Sequence, residues 1–377
     1  MTITTEKEIF PNGPSYQNFV NAIRSPSTRS VYITSLKRYM RHIKLTNVDD
    51  LLYYQTDKKT IETQLIDYIM SLRNDGIAYA TIKYLLAPIF TFYQLNDILL
   101  NKKKVFRYLG EFKRVVKDKP YSTEQIQQAL QNADQRMRTI ILILASTGCR
   151  VGALPGLTLR NLTKLPDYGL YKITFYEGTN NEYYTFCTRE AAQTGIDPYL
   201  LYRQRCGEKL SFNESTNRWE PEDTPLIRLS FDMNDSFQAS RQIKALTQHG
   251  VRMALDLHLI KCGLRQTEHP NERNRRVRKN ISLANGFRKH VISTFIEAGL
   301  NHEIRELIVD HATGLDSSYF RPTEKQVLEE YMKAEPFLTI DPNVRLSNEN
   351  KVLKIEVSKV DGILADLAQM RQQLGLE

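Results

Sequence analysis

The stretch "NGFRKHVISTFIEAGLNHEIRELIVDHATGLDSSYFRPTEKQVLEEY", residues 285–331, sets Arg288, His311, Tyr319 and Tyr331 in an order that decides how the chain is read. Residues 285–299 read as a helix with Arg288 in its first turn. Val291 and Ile292, three and four positions on, place that arginine beside a buried stripe. An arginine at a helix N-terminus makes an anion site. His311 follows, and eight residues later comes Tyr319, in a loop behind Gly314 and a Ser–Ser pair. Pro322 suits the start of a helix at 323–334, and Thr323 with Gln326 forms a capping-box pattern. Val327, Leu328 and Tyr331 then share one apolar stripe, so Tyr331 is expected in the core with its hydroxyl at the edge. Of the two phenols, Tyr319 is the one placed to reach a bound group.

Upstream, "ASTGCRVGALPGLTLRNL" (145–162) places Arg150 just beyond a buried helix, "MRTIILILASTG" (137–148), that ends at Gly148. An arginine at an element boundary in apolar surroundings needs an anionic partner, and a structural carboxylate satisfies that need as well as a ligand does. Between the two arginines, "YKITFYEGTNNEYYTF" (171–186) is two β-rich runs around a turn, a hairpin pattern. Further helices are expected at 190–206 and 240–262, and "YSTEQIQQAL" (121–130) opens one with a Ser122/Thr123 cap. Trp219 falls in a polar loop, as a surface or packing residue, and His249, His258 and His269 lack metal-ligand spacing.

Ahead of this region, residues 14 to about 110 read as a small helical bundle. "YATIKYLLAPIFTFYQLNDI" (79–98) is its most apolar helix, expected to be kinked or broken at Pro88. From about 350, Leu353, Val357, Val360, Leu364, Leu367 and Leu374 follow a four/three spacing that Gly362 and Arg371 weaken. That pattern fits either a short coiled-coil seam or an amphipathic helix packed on its own domain.

The 377 residues suffice for two or three domains, and the net charge of +9 with a pI near 9.2 favours polyanionic partners, nucleic acid first. The charge is clustered. Residues 36–44 are basic, residues 101–120 carry eight Lys/Arg against two acids, and residues 271–290 carry seven against one. Several separate clusters suit contact with a phosphate backbone at several points. The four cysteines, Cys149, Cys187, Cys206 and Cys262, are widely spaced, which fits a reduced intracellular setting without zinc or a disulfide framework. No run of about 18 apolar residues suggests a membrane span, and the N-terminal residues lack a signal-peptide pattern.

The order Arg150, hairpin, Arg288, His311, Tyr319 resembles that of the tyrosine recombinases, or phage-type integrases, over roughly residues 120–340. The wording is most similar to the archaeal integrase branch, in which the tyrosine precedes an "RPTE" helix start. The resemblance implies a mainly α fold with a small β-hairpin or sheet. Its parts would be an N-terminal tail (1–13), a helical core-binding domain (14–111), a basic linker (112–120), a mixed α+β catalytic domain (121–340) and a C-terminal amphipathic or coiled-coil helix (341–377). It implies that Tyr319 attacks a DNA phosphate to give a 3′-phosphotyrosyl link and a free 5′-hydroxyl, without ATP, metal or any small-molecule cofactor. Arg150 and Arg288 would clamp the phosphate as planar, permanently charged donors. A phenol is ionised in only about one molecule per thousand at pH 7, so His311 and the arginines would assist its deprotonation.

Two positions depart from the pattern. The family often carries a histidine where this chain has Asn285, which can cap a helix and donate to phosphate but cannot exchange protons near neutral pH. The family also places a lysine in or near the hairpin turn as acid for the leaving 5′-oxygen; residues 173–188 hold no positive side chain, and Lys172 is the nearest candidate. His290, two residues after Arg288, faces another direction. Double-stranded DNA at a specific attachment site is the expected partner. Lys102, Lys103, Lys104, Arg107, Lys113, Arg114, Arg273, Arg275, Arg276, Arg278, Lys279 and Lys289 are the candidate contacts. A homo-tetramer on DNA, a viral or other mobile element, and a cytoplasmic, nucleoid-associated location complete the implied picture. A cleavage-impaired DNA-binding accessory protein and a type IB topoisomerase are the competing readings.

Overall fold

The computed structural model describes residues 13–53, 57–112, 118–232, 235–266, 281–311 and 321–346. It divides into two compact units, Met1–Val115 and Val116–Glu377. The first is a helical bundle of α1 (Pro14–Asn21), α2 (Pro26–His42), α3 (Asp50–Tyr53), α4 (Lys58–Asn74), α5 (Tyr79–Leu95) and α6 (Lys102–Phe106). Side-chain caps set several starts: Ser25 accepts from Thr28 N–H before α2, Asp57 from Lys59 N–H before α4, and Asn101 from Lys104 N–H before α6. Phe19, Tyr39, Leu65, Tyr68, Ile89 and Phe92 are among the buried residues of its core. The break expected at Pro88 does not occur; α5 runs through it unbroken. Pro88 is buried among apolar neighbours, whereas Tyr84, whose carbonyl loses its partner, is an exposed residue, so packing outweighs one lost helical bond.

The second unit contains α7 (Thr123–Gln131) and α8 (Gln135–Thr147), then a sheet of β1 (Leu162–Leu165), β2 (Leu170–Phe175) and β3 (Tyr183–Phe186). β2 is the central strand, antiparallel to β1 and to β3, and Lys172 stands opposite Thr163 on one side and Phe186 on the other. The hairpin expected at 171–186 therefore carries a third strand. The remaining elements are α9 (Asp197–Arg205), the pair β4 (Ser211–Asn213) and β5 (Arg218–Glu220), α10 (Ser236–Ser240), α11 (Gln248–Lys261), α12 (Asn285–Glu297), α13 (His302–Ile308) and α14 (Glu324–Leu338). The fold is mostly helical with a small antiparallel sheet. Every residue of α8 from Thr139 to Thr147 is buried, so this helix is the axis of the core. Among the described residues no helix is long and apolar enough to cross a membrane.

Three local readings need correction. The helix expected over 240–262 starts only at Gln248, because the preceding residues are extended: Leu229 N–H donates to Lys244 and Leu246 N–H to Ile227. The stretch 190–206 is two pieces, a π-helical turn at Ala191–Ile196 followed by α9; Asp197 N–H reaches five residues back to Ala192, and Pro198 supplies no N–H. Trp219 belongs to β5, not to a polar loop, and it is buried with its indole N–H donating to the Tyr171 hydroxyl at 2.9 Å. From residue 347 the expected C-terminal helix lies outside the described residues.

Two buried arginines flank one buried glutamate. Glu208 accepts from Arg203 Nε at 2.9 Å and from Arg228 Nη1 at 2.6 Å, with all three side chains 0–1 % exposed. Arg203 also donates to the carbonyls of Pro225 (3.0 Å) and Leu226 (2.8 Å), and Arg228 to those of Ala239 (2.9 Å) and Gln238 (2.8 Å). The triad thus pins the 225–228 segment, and that segment braces the loop after Arg150, because Leu226 N–H donates to Leu157 at 2.8 Å.

Candidate active site

Helix α8 ends at Gly148, which sits in the left-handed region at φ 62°. A Cβ there would press to within 3.2 Å of Val291, so glycine permits both the turn and the close approach of α12. At the start of α12, Gly286 plays a related part, since a Cβ would come 2.6 Å from the Tyr121 ring. These contacts fix the first turn of α12 and with it Arg288, which is buried. Its guanidinium donates to the Gly148 carbonyl at 2.7 Å and to the Val309 carbonyl.

Arg150, two residues beyond Gly148, reaches the same turn. One Nη donates to the Asp310 carbonyl at 3.0 Å and the other forms an ion pair with the Asp310 carboxylate. Its side chain is 49 % exposed, not in apolar surroundings as the sequence suggested, and its anionic partner in this structure is a carboxylate. His311 follows directly. Its backbone N–H donates to the Glu306 carbonyl at 2.9 Å, and its Nδ1 lies 2.7 Å from Glu306 Oε2. The other oxygen of Glu306 accepts from Arg305 Nε at 3.0 Å. With Nδ1 engaged, Nε2 is the ring nitrogen left for chemistry. Residues 309–311 therefore gather Arg150, Arg288 and His311, which come from a post-helix loop, a helix first turn and the turn after α13.

The electrostatics follow from this crowding. Burial, and then the positive charge of Arg150, hold the Arg288 guanidinium below its usual value. Burial pushes the Cys149 thiol up to about 11 and raises the Tyr176 and Tyr183 phenols; Arg288 opposes all three, with the Thr147 hydrogen bond at Cys149 and Arg150 at Tyr176. For Glu306 burial would raise the carboxyl, but hydrogen bonds from His311 and Arg305 prevail and lower it. Asp310, Glu306, Tyr176 and Tyr183 were not singled out by the sequence. Only the "VDH" triplet, an acid beside the histidine, carries a local signal.

The other expected site residues fall as follows. Lys172 is held by Glu324 at the start of α14 (2.7 Å) and lies 5.3 Å over the Tyr184 ring. Asn285 is exposed and lies inside α12; Ala284, itself in the right-handed helical region, holds the cap position and has no side-chain acceptor to offer. His290 faces away as expected, its Nδ1 3.1 Å from the Tyr121 carbonyl. Tyr319 lies outside the described residues, as do Lys113, Arg114, Arg273, Arg275, Arg276, Arg278 and Lys279. Lys104 is paired with Glu62 (2.7 Å) and Lys289 with Asp118 (2.9 Å), while Lys102, Lys103 and Arg107 are exposed. Among the described residues no group of three or more His, Cys, Asp or Glu could hold a metal ion.

Tyr331 is fully buried, and its hydroxyl lies inside the core instead of at its edge, donating to the Ser146 carbonyl at 3.0 Å. Tyr331→Phe is expected to lower stability by about 1 kcal/mol, the worth of one internal hydrogen bond, as read from the urea unfolding midpoint. It should leave any covalent chemistry on DNA intact.

No family model matches the sequence, and no curated protein matches it. Solved structures do. The chain is similar to the integrase of transposon Tn1549 in complex with transposon right-end DNA, at 14% identity, covering 84% of this chain and 98% of that one with a TM-score of 0.51. It is also similar to a lambda integrase dimer bound to a COC′ core site, at 13% identity over 81% of this chain and 75% of that one, with a TM-score of 0.50. The fold is that of the tyrosine recombinases. At this identity the likeness is one of fold, and in the tyrosine-recombinase fold of this chain the arginines and the histidine meet at a single turn.

Proposed function

We propose that the protein is a site-specific DNA recombinase that cuts and rejoins DNA through a 3′-phosphotyrosyl intermediate, integrating or excising a viral or other mobile element. The convergence of Arg150, Arg288 and His311 on residues 309–311 carries this reading. Tyr319, eight residues beyond His311, attacks the scissile phosphorus through its phenolic oxygen. The bond to the 5′-oxygen breaks, the phenolic proton passes to His311 or solvent, and the leaving 5′-oxygen takes up a proton. Attack by a 5′-hydroxyl of another strand reverses the step. Arg150 and Arg288 neutralise the non-bridging oxygens, and Glu306 holds the His311 ring in one orientation. Lys102, Lys103 and Arg107 of the first unit, with the basic segment 271–290, bind phosphates along the duplex. The working form is a homo-tetramer on its attachment site, DNA-associated in the cytoplasm, within the archaeal integrase branch.

The direct test is a duplex carrying the attachment site with a nick beside the scissile phosphate, which traps the covalent intermediate. The full chain is expected to form a protein–DNA adduct that survives denaturation. Binding without an adduct would favour the accessory-protein reading, which Asn285 supports. Relaxation of supercoiled plasmid without strand exchange would favour the topoisomerase.

Lys172 is the proposed acid for the leaving oxygen. Lys172→Ala is expected to slow cleavage by about 100-fold or more. A substrate with sulfur in place of the 5′-bridging oxygen needs no proton on departure and should restore the rate. If it does not, Lys172 has another role, such as holding Glu324 at the start of α14.

A further inference from the structure

The carboxylate of Asp310 sits on Arg150, one of the two cations assigned to the scissile phosphate. A site built to take an anion already holds one. The backbone of Asp310 is left-handed, at φ 54°, a conformation that glycine adopts more readily than aspartate. Arg150 is engaged twice by this residue, through the carboxylate and through the Asp310 carbonyl at 3.0 Å, while Arg288 is engaged by the carbonyls of Gly148 and Val309. The two arginines therefore differ. Arg288 is buried, and among the described residues its hydrogen bonds go to neutral carbonyls, with the Asp310 carboxylate acting on it through its field alone. Arg150 is half exposed, and its charge is offset by a carboxylate whose own side chain is 29 % exposed. A phosphate arriving from solvent meets a cation that must first release Asp310.

Resting on the recombinase reading above, we propose that Asp310 is a charge lock on the phosphate site: its carboxylate competes with DNA phosphate for Arg150, and only a correctly seated backbone displaces it. A carboxylate that merely positioned Arg150 would remain bound to it when phosphate arrives. A competing carboxylate must leave, and its removal must strengthen phosphate binding. An ion pair this exposed is weak, so the lock is modest and reversible.

The test uses the full chain and a fluorescent mixed-sequence 30-base-pair duplex, with affinity read by anisotropy. Asp310→Asn is expected to bind about fivefold more tightly, equivalent to about 1 kcal/mol. Asp310→Gly, which also relieves the left-handed backbone, should do the same and guards against a variant that folds poorly. In an Arg150→Gln background the gain should vanish. Binding that is unchanged or weaker in both Asp310 variants overturns the lock in favour of a positioning role. A gain that persists without Arg150 overturns it in favour of a general change in net charge. If the gain depends on Arg150 but the nicked substrate yields no adduct, the lock stands and the cleavage reading falls.

Discussion

Tyr319→Phe is expected to abolish the covalent protein–DNA adduct, a loss of at least about 10⁴-fold in cleavage, while DNA affinity stays within about twofold. On the proposed reading, removing one hydroxyl removes the atom that would form the bond to phosphorus. The same reading assigns phosphate binding to Arg150 and Arg288, so binding should survive. A gel of denatured reaction products with labelled DNA reads the first quantity, and anisotropy reads the second. An adduct that persists would show that another nucleophile is used. Tyr331 is a poor substitute: it is fully buried, burial raises its phenol well above the usual value, and its hydroxyl is committed to Ser146. Tyr176, the residue after β2, whose phenol is raised by burial and lowered in part by the charges of Arg150 and Arg288, would be the next to test.

The sequence was most legible where local chemistry dictates structure. The Thr323/Gln326 capping box is formed, Ser122 of the expected Ser122/Thr123 pair caps α7, and Gly148 ends α8 in the left-handed conformation that glycine favours. Gly148 thereby puts Arg150 just past α8, whereas Arg288 lies in the first turn of α12, whose start has no side-chain cap. Elements stabilised by distant partners were not legible. β1 is four residues of mixed polarity that become a strand only against β2, and β5 holds Trp219 because Tyr171, 48 residues away, supplies the acceptor. Pro88 shows the same limit from the other side, since tertiary burial overrode a strong local breaker. Within the site, the Asp310–Arg150 pair joins residues 160 positions apart, and no spacing pattern encodes it.

Glu208→Gln is expected to destabilise the second unit by about 3–5 kcal/mol, seen as a lower urea midpoint for its unfolding transition. Glutamine keeps the shape and can still accept hydrogen bonds, but it leaves the Arg203 and Arg228 guanidiniums buried without a counter-charge. Replacing a buried ion triad wholly with apolar residues is often neutral or stabilising, because the desolvation penalty goes with the charges. Here that remedy should fail. Each arginine also satisfies two backbone carbonyls, at 225–226 and 238–239, and an apolar triple variant would strip all four of their donors. The triple variant is therefore expected to be no more stable than wild type. The loss also has a route to the active site. Leu226 is held by Arg203 on its carbonyl and holds Leu157 through its N–H, and Leu157 closes the loop that begins at Arg150. At a temperature where Glu208→Gln is still folded, adduct formation should fall more than DNA binding does, because the clamp tolerates misplacement less than the backbone contacts do. An equal fall in both would mean that the triad serves the unit as a whole and has no particular hold on Arg150.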